Sequence, residues 1–132
     1  MSEVLKGIRV IDLTRGPAGG LATMIMADFG ADVLVIDAPQ AHRVDELAAA
    51  PMWRRGKRSI SLDLKQDAQL NQFKAILAGT DVFICNWRLQ ALEAMGLDYN
   101  ALKSTHPHLI YCHISAFGNK GPKSNYPGYE HV

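Results

Sequence analysis

Four cationic side chains stand within five positions of the sequence, just before a segment that predicts a strand. Lysine and arginine bind phosphate and carboxylate groups through charge-assisted hydrogen bonds, so this cluster indicates a local anion site. Trp53 precedes the cluster and offers a flat apolar face for an aromatic base. A solvated basic loop is the alternative interpretation. The four cations are Arg54, Arg55, Lys57 and Arg58.

A glycine-rich turn is the second candidate for anion binding. Gly16, Gly19 and Gly20 follow a predicted strand and open a predicted helix, where backbone N–H groups can hold a phosphate. Asp37 lies 21 positions after Gly16, near the offset of the ribose-binding acid in dinucleotide folds. The spacing is not G-x-G-x-x-G, however, and Pro17 lacks an N–H donor. This turn therefore favours a structural role for the glycines over a nicotinamide site.

The other residue types that perform chemistry form no recognisable set. The serines stand outside the G-x-S-x-G pattern, so no nucleophilic triad is evident. Cys85 and Cys112 lack a C-x-x-C spacing, which predicts reduced core thiols and neither a disulfide nor a zinc site. His113 lies in a strand-like segment and is predicted to be a hydrogen-bonded packing residue. The sequence thus predicts no metal centre.

The composition favours one globular domain over residues 1–132. Hydrophobic residues make up 48% of the chain, enough for a core, and the net charge of +1 gives no general attraction for nucleic acid or an anionic membrane. The longest apolar stretch, 21–27, is far shorter than the roughly 20 residues that cross a bilayer. No secretory signal pattern is present. We therefore expect a cytoplasmic protein with neither nucleic acid nor membrane as a partner.

Hydrophobic periodicity predicts strands that alternate with helices. Continuous apolar runs are typical of strands buried on both faces of a parallel sheet, and apolar residues at helical spacing lie between them. We expect an α/β fold: a Rossmann-like, doubly wound, mostly parallel sheet of about five strands with helices on both faces. Predicted strands cover 7–13, 32–37, 59–64, 81–86 and 109–114; predicted helices cover 18–29, 67–77, 88–95 and 99–104.

Two further expectations concern the connections. The segment 38–56 lacks a firm period and is predicted to be a long loop with a short helix at 45–50. Ligands of doubly wound sheets bind outside the carboxyl ends of the strands, where the strand order reverses. That rule places the candidate site in segments 14–20, 37–43 and 86–88.

Several motifs together resemble the N-terminal region of family III CoA-transferases. That group includes formyl-CoA and carnitine CoA-transferases and α-methylacyl-CoA racemases. The block R-G-K-R-S-x-x-L-D-L-K is the most specific of the motifs, and the resemblance runs in order through essentially the whole chain. The residues that carry it are Leu5–Thr14, Ala27–Val33, Arg55–Lys65, Asn86–Arg88, Pro107–Ser115 and Pro127–Tyr129.

The resemblance implies CoA thioester chemistry on a Rossmann-like domain. CoA or acyl-CoA would be the substrate, with no metal and no tightly bound cofactor, and the family forms interlocked homodimers. The catalytic aspartate of the family is expected beyond Val132, so the chain resembles a truncated N-terminal part that supplies no catalytic residue. We do not expect this chain alone to be a competent enzyme.

The resemblance also implies particular CoA contacts, with cations for the phosphates and apolar side chains for adenine and pantetheine. Ala38 and Ala94 replace arginines of the family, and Pro17 replaces a glutamine of formyl-CoA transferase; Arg43 could reach the ligand in place of the arginine at Ala38. The implied contacts are Lys57, Arg58, Leu62, Lys65, Asn86, Trp87, Arg43 and Tyr129.

Four hypotheses about function stay open. A CoA-transferase-like domain that moves CoA between carboxylic acids is favoured, because Tyr129 stands where racemases of the family carry a catalytic histidine. A non-catalytic domain that binds CoA or a partner comes second. A racemase-type isomerase comes third, and a dinucleotide oxidoreductase comes last because the glycine spacing is wrong.

Overall fold

The structure of the protein is a computed structural model, which describes residues 3–39, 48–126 and 128. In that part of the chain five strands alternate with helices, and no helix is long and apolar enough to cross a membrane. The elements in chain order are β1 (Arg9–Leu13), α1 (Pro17–Asp28), β2 (Asp32–Asp37), α2 (Ala50–Arg54), β3 (Arg58–Ser61), α3 (Asp67–Leu77), β4 (Val82–Cys85), α4 (Leu89–Met95), α5 (Tyr99–Thr105) and β5 (Ile110–His113).

The strands form one parallel sheet in the order β3-β2-β1-β4-β5. β1 is central, and its Ile11 pairs with Leu34 of β2 on one side and with Phe83 of β4 on the other. The chain runs outward from β1 to β3 and then crosses back to place β4 beside β1. The strand order therefore reverses between β1 and β4. The predicted fold class is confirmed, and every pairing among the described strands is parallel.

Helices cover both faces of the sheet, which explains the continuous apolar runs in the strands. On one face, Phe83 of β4 shares a buried cluster with Phe73 of α3 and Leu92 of α4. On the opposite face, Val33 of β2 packs in a second cluster with Ala27 of α1. Successive residues of a strand point to opposite faces, so a strand buried on both has apolar residues at consecutive positions.

The connection between β2 and β3 differs from its prediction. Positions 40–47, which include the first half of the helix expected at 45–50, lie outside the described residues. The described helix α2 begins at Ala50, where the expected helix ends, and continues to Arg54 through positions expected to be loop. Ala50 and Trp53 are three positions apart and both bury against Met24 of α1. This helix is too short to show a repeated apolar pattern, and its packing against α1 stabilises it.

The two cysteines occupy different environments. Cys85 is buried in β4, whereas Cys112 on β5 is exposed. The expectation of a core thiol is therefore right for Cys85 and wrong for Cys112. β5 is the last strand in the described sheet, and Ile110, which shares a face of β5 with Cys112, is also 64% exposed. Helices cover the other face of β5, where Tyr111 is half-buried.

A row of aromatic rings lies on the face covered by α3, α4 and α5. Four rings are in successive edge-to-face contact, with centroids 5.9, 5.4 and 5.8 Å apart: Phe73, Phe83, Tyr111 and Tyr99. The hydroxyl of Tyr111 donates to the carbonyl of Leu97 at 3.0 Å, and the thiol of Cys85 donates to that hydroxyl at 3.6 Å. Burial raises the pKa of Cys85 to about 11 and also raises the pKa of Tyr111.

These raised pKa values predict a loss of stability in alkaline solution. Both groups are protonated in the folded and the unfolded chain below about pH 8, so their contribution to stability is complete there. As the pH rises further, the unfolded chain loses its thiol and phenol protons first, because the folded pKa values are higher. The free energy of unfolding should then fall by up to about 1.4 kcal/mol per pH unit for each group.

Urea unfolding of wild type and Tyr111→Phe at a series of alkaline pH values measures this effect. The variant lacks the phenol, so its free energy of unfolding should fall less steeply above about pH 10. Other titrating groups cancel in the difference between the two proteins. Tyr99→Phe, a change in an exposed tyrosine, is the control and should keep the wild-type slope. Equal slopes for wild type and Tyr111→Phe would contradict the prediction.

Candidate functional site

The basic cluster does not converge on one point in the structure. Each of its four cations bonds to a carboxylate of the unit β1–α1–β2, from Asp32 at the amino end of β2 to Asp37 at its carboxyl end. The pairs and their N–O distances are Arg54–Asp37 at 2.6 Å, Arg55–Asp28 at 2.5 Å, Lys57–Asp12 at 3.1 Å and Arg58–Asp32 at 2.6 Å. The cluster thus fastens the α2–β3 segment to the first strands and helix, an outcome that neither sequence interpretation anticipated.

Lys57 and Asp12 form a buried ion pair at the base of this cluster. Their side chains are 2% and 3% exposed. The Lys57 ammonium donates to Asp12 Oδ2, to the carbonyl of Gly20 at 2.8 Å and to Thr23 Oγ1 at 2.5 Å. An ammonium has three protons, so these bonds leave none for a ligand phosphate. Burial lowers the pKa of Lys57, against the opposing attraction of Asp12.

The carboxylate of Asp12 also shapes the turn between β1 and α1. Oδ1 accepts hydrogen bonds from the Thr14 amide at 3.0 Å and from the Thr14 hydroxyl at 2.5 Å. Oδ2 accepts from Thr23 at 2.5 Å, in addition to Lys57. Because both oxygens are engaged, Asp12 fixes the start of the turn to the first turns of α1.

Close packing accounts for two glycines of that turn. A Cβ atom at position 19 would overlap the side chain of Thr14, and one at position 20 would lie 2.6 Å from Trp53 Cδ1. Gly19 and Gly20 therefore let α1 approach both the Thr14 side chain and α2. This supports the structural interpretation of the glycines. Asp37, the candidate ribose-binding acid, is held through both oxygens by Arg54.

Asn86 and Trp87 meet the β1–α1 turn at the point where the strand order reverses. Asn86 Oδ1 accepts from the Arg15 amide at 2.9 Å, and Asn86 Nδ2 donates to the Arg15 carbonyl at 2.8 Å. The Arg15 guanidinium lies 5.4 Å from the centroid of the Trp87 ring. His113 Nε2 bonds to the Trp87 carbonyl at 2.8 Å, in line with its predicted packing role. The structure brings Asn86 and Trp87 together, as the carboxyl-end rule predicts.

The remaining predicted contacts are more dispersed. Leu62 follows β3 and is buried in the core, and Lys65 is exposed a few positions further on. Arg58 is exposed at the start of β3, toward the opposite edge of the sheet. Arg43 and Tyr129 lie outside the described residues. These positions stay predictions.

A cleft opens above the carboxyl ends of β1 and β2. Its lining includes Arg15, Gly16, Asp37 and Trp53, with Lys57 at its base. The segment 14–20 was expected to line the site, but the sequence pattern did not distinguish Arg15 within it. The signal that could have identified Arg15 was its position as a cation in the turn after a predicted buried strand.

A parallel sheet with helices on both faces and a cleft at the carboxyl ends of its central strands defines a Rossmann-like domain. A solved short-chain dehydrogenase/reductase family protein shares this fold, with a TM-score of 0.54 at 18% identity. The model of one family, CoA-transferase family III, matches residues 5–132. The chain belongs to that family.

Individual relatives support the assignment. The succinate–glutarate CoA-transferase of Agrobacterium fabrum is 36% identical over 97% of this chain and 36% of its own length. The human succinyl-CoA:glutarate CoA-transferase is 35% identical over 97% of this chain and 32% of its own length. The crystal structure of Rv3272 from Mycobacterium tuberculosis has a TM-score of 0.89 at 32% identity, covering 98% of this chain and 38% of that one. The chain spans about a third of the length of these relatives.

The burial of the Lys57–Asp12 pair predicts a large effect of removing one partner. Lys57→Met leaves the Asp12 charge buried without its cation, so the free energy of unfolding should fall by about 3–5 kcal/mol. Arg58→Ala breaks an exposed pair and should cost less than about 1 kcal/mol. Urea unfolding of both variants measures the contrast. Adding Asp12→Asn to Lys57→Met should restore part of the loss; similar values for the two single variants would refute the assignment.

Proposed function

We propose that this chain is the CoA-binding part of a CoA-transferase that moves CoA between carboxylic acids. Its membership of CoA-transferase family III is the observation that carries the proposal. Curated relatives act on succinate and glutarate, and on cinnamoyl-CoA and phenyllactate, as their names state. The substrates of this chain would accordingly be a CoA thioester and a free carboxylic acid.

CoA would lie along the carboxyl edge of the sheet. Lys65 follows β3, and Asn86 and Trp87 follow β4. Three strand spacings separate β3 from β4, or about 14 Å at roughly 4.8 Å each. An extended ligand with phosphates at one end and a thioester at the other suits such a span. We propose Lys65, Asn86 and Trp87 as direct contacts.

The other implied positions would contribute differently. Lys57 and Leu62 are buried, so they would shape the wall of the site from inside. Arg58 is paired with Asp32 near the amino edge, and could meet only a part of the ligand that extends around β3. Arg43 and Tyr129 remain proposed contacts on the strength of the resemblance alone.

We do not propose a catalytic residue within this chain. Four of its aspartates are each bonded to a cation, which disfavours a freely attacking carboxylate at those positions: Asp12, Asp28, Asp32 and Asp37. A nucleophile from elsewhere in the assembled enzyme would complete the site. The two free thiols, Cys85 and Cys112, favour a cytoplasmic protein.

Isothermal titration of CoA tests the proposed contacts. Trp87→Leu removes an aromatic surface from the carboxyl edge and should weaken CoA binding by up to roughly tenfold, since losing such a contact costs about 0.5–1.5 kcal/mol. Tyr99→Leu is the matched control, because Tyr99 is an exposed aromatic residue on α5. Thermal unfolding checks that both variants are folded. Wild-type affinity in Trp87→Leu would count against the site.

We also propose that the protein forms a homodimer or larger homo-oligomer. β5 ends the described sheet and carries exposed Ile110, and apolar side chains on a strand edge promote pairing with another copy. Ile110→Glu should weaken self-association about tenfold, as expected for removing one buried aliphatic contact. Val4→Glu, at an equally exposed aliphatic residue away from the sheet edge, is the control. Sedimentation velocity that shows a monomer at high concentration for wild type would overturn the proposal.

A further inference from the structure

Arg15 differs from the cations of the basic cluster. Each cation of that cluster bonds to a carboxylate. The Arg15 guanidinium is exposed, and among the described residues it contacts the ring of Trp87. An aromatic face attracts a cation without neutralising its charge. Arg15 therefore keeps its full charge available at the carboxyl edge.

Neighbouring residues contact both the backbone and the side chain of Arg15. Asn86 bonds to the amide and the carbonyl of Arg15, so the backbone is held on two sides. The guanidinium lies over the Trp87 ring, with its carbon 5.4 Å from the centroid. A guanidinium over an aromatic face keeps its N–H donors free of a carboxylate partner, and such donors form paired bonds with a phosphate or a carboxylate. Less freedom is lost on binding when the donor is already positioned.

The surroundings of Arg15 favour an anion rather than a cation. Asp12 and Asp37 line the same cleft, but Lys57 and Arg54 respectively bond to them. Lys57 has no proton left to donate, as described above. Arg15 is thus placed where strand order reverses, with the nearby carboxylates already paired.

We propose that Arg15 is an anion-binding residue of this domain, held on the Trp87 ring, and that it binds an oxyanion of the substrates. This rests on the proposed function. Two groups share the required chemistry: a phosphate of CoA and the carboxylate of the acid that receives or supplies CoA. The two sources are separated by the ligands used in the test.

Isothermal titration compares wild type, Arg15→Gln and Arg9→Gln with four ligands: CoA, pantetheine, inorganic pyrophosphate and glutarate. Arg9→Gln is the matched control, because it removes the same charge from the other end of β1. Arg15→Gln should lose roughly ten- to hundredfold in affinity for one anionic ligand, the effect of losing a charge-assisted pair, while Arg9→Gln stays near wild type. Since Arg15 is exposed, the melting temperature should stay near that of wild type.

The pattern of losses identifies the anion. Weaker binding of CoA and pyrophosphate with unchanged pantetheine assigns Arg15 to a phosphate. Weaker binding of glutarate with unchanged CoA assigns it to a carboxylate. Trp87→Leu keeps Arg15 but removes the ring beside it, so it should weaken binding of pyrophosphate or glutarate, whichever Arg15→Gln affects, by less than Arg15→Gln does.

The inference and the proposed function fail in different ways. If CoA, pyrophosphate and glutarate each bind wild type and Arg15→Gln with equal affinity, the role of Arg15 is overturned while CoA binding stands. If wild type does not bind CoA but binds pyrophosphate or glutarate through Arg15, the anion site is supported and the proposed function fails.

Discussion

The buried pair of Lys57 and Asp12 is the interaction on which the arrangement of this domain depends. Two charges taken out of water are tolerated only when hydrogen bonds satisfy every donor and acceptor around them. Here the ammonium has three acceptors, and both carboxylate oxygens accept from neighbouring groups. The pair ties β1 and α1 to the segment before β3. It therefore sets where the β1–α1 turn, and with it the cleft, can lie.

The same constraint separates cations that hold the fold together from a cation available to a ligand. The basic cluster is engaged with the carboxylates of β1, α1 and β2, so most of its charge is neutralised within the protein. Arg15 instead lies over the Trp87 ring, 5.4 Å from its centroid, and is not neutralised there by a carboxylate of the described residues. An anion bound by Arg15, as proposed, would break no internal ion pair, so its binding would not weaken the fold.

The site combines contributions from strands distant in sequence. Asn86 joins the turn after β4 to the turn after β1, and His113 at the end of β5 supports the backbone of Trp87. Parallel strands bring their carboxyl ends to one edge, so three loops meet there without being neighbours in the chain. An extended CoA molecule along this edge would contact several of these loops at once.

The sequence by itself determined the fold class and the places of most elements, because apolar runs and helical spacing are local patterns that burial on two faces imposes. The family motifs are also present in the sequence, and they indicated CoA chemistry. Only the tertiary structure decided which cation meets which acid, since the paired residues are 17 to 45 positions apart. It likewise decided that Cys112 is exposed and that the Arg15 guanidinium lies over the Trp87 ring, because both depend on neighbours that strand order supplies.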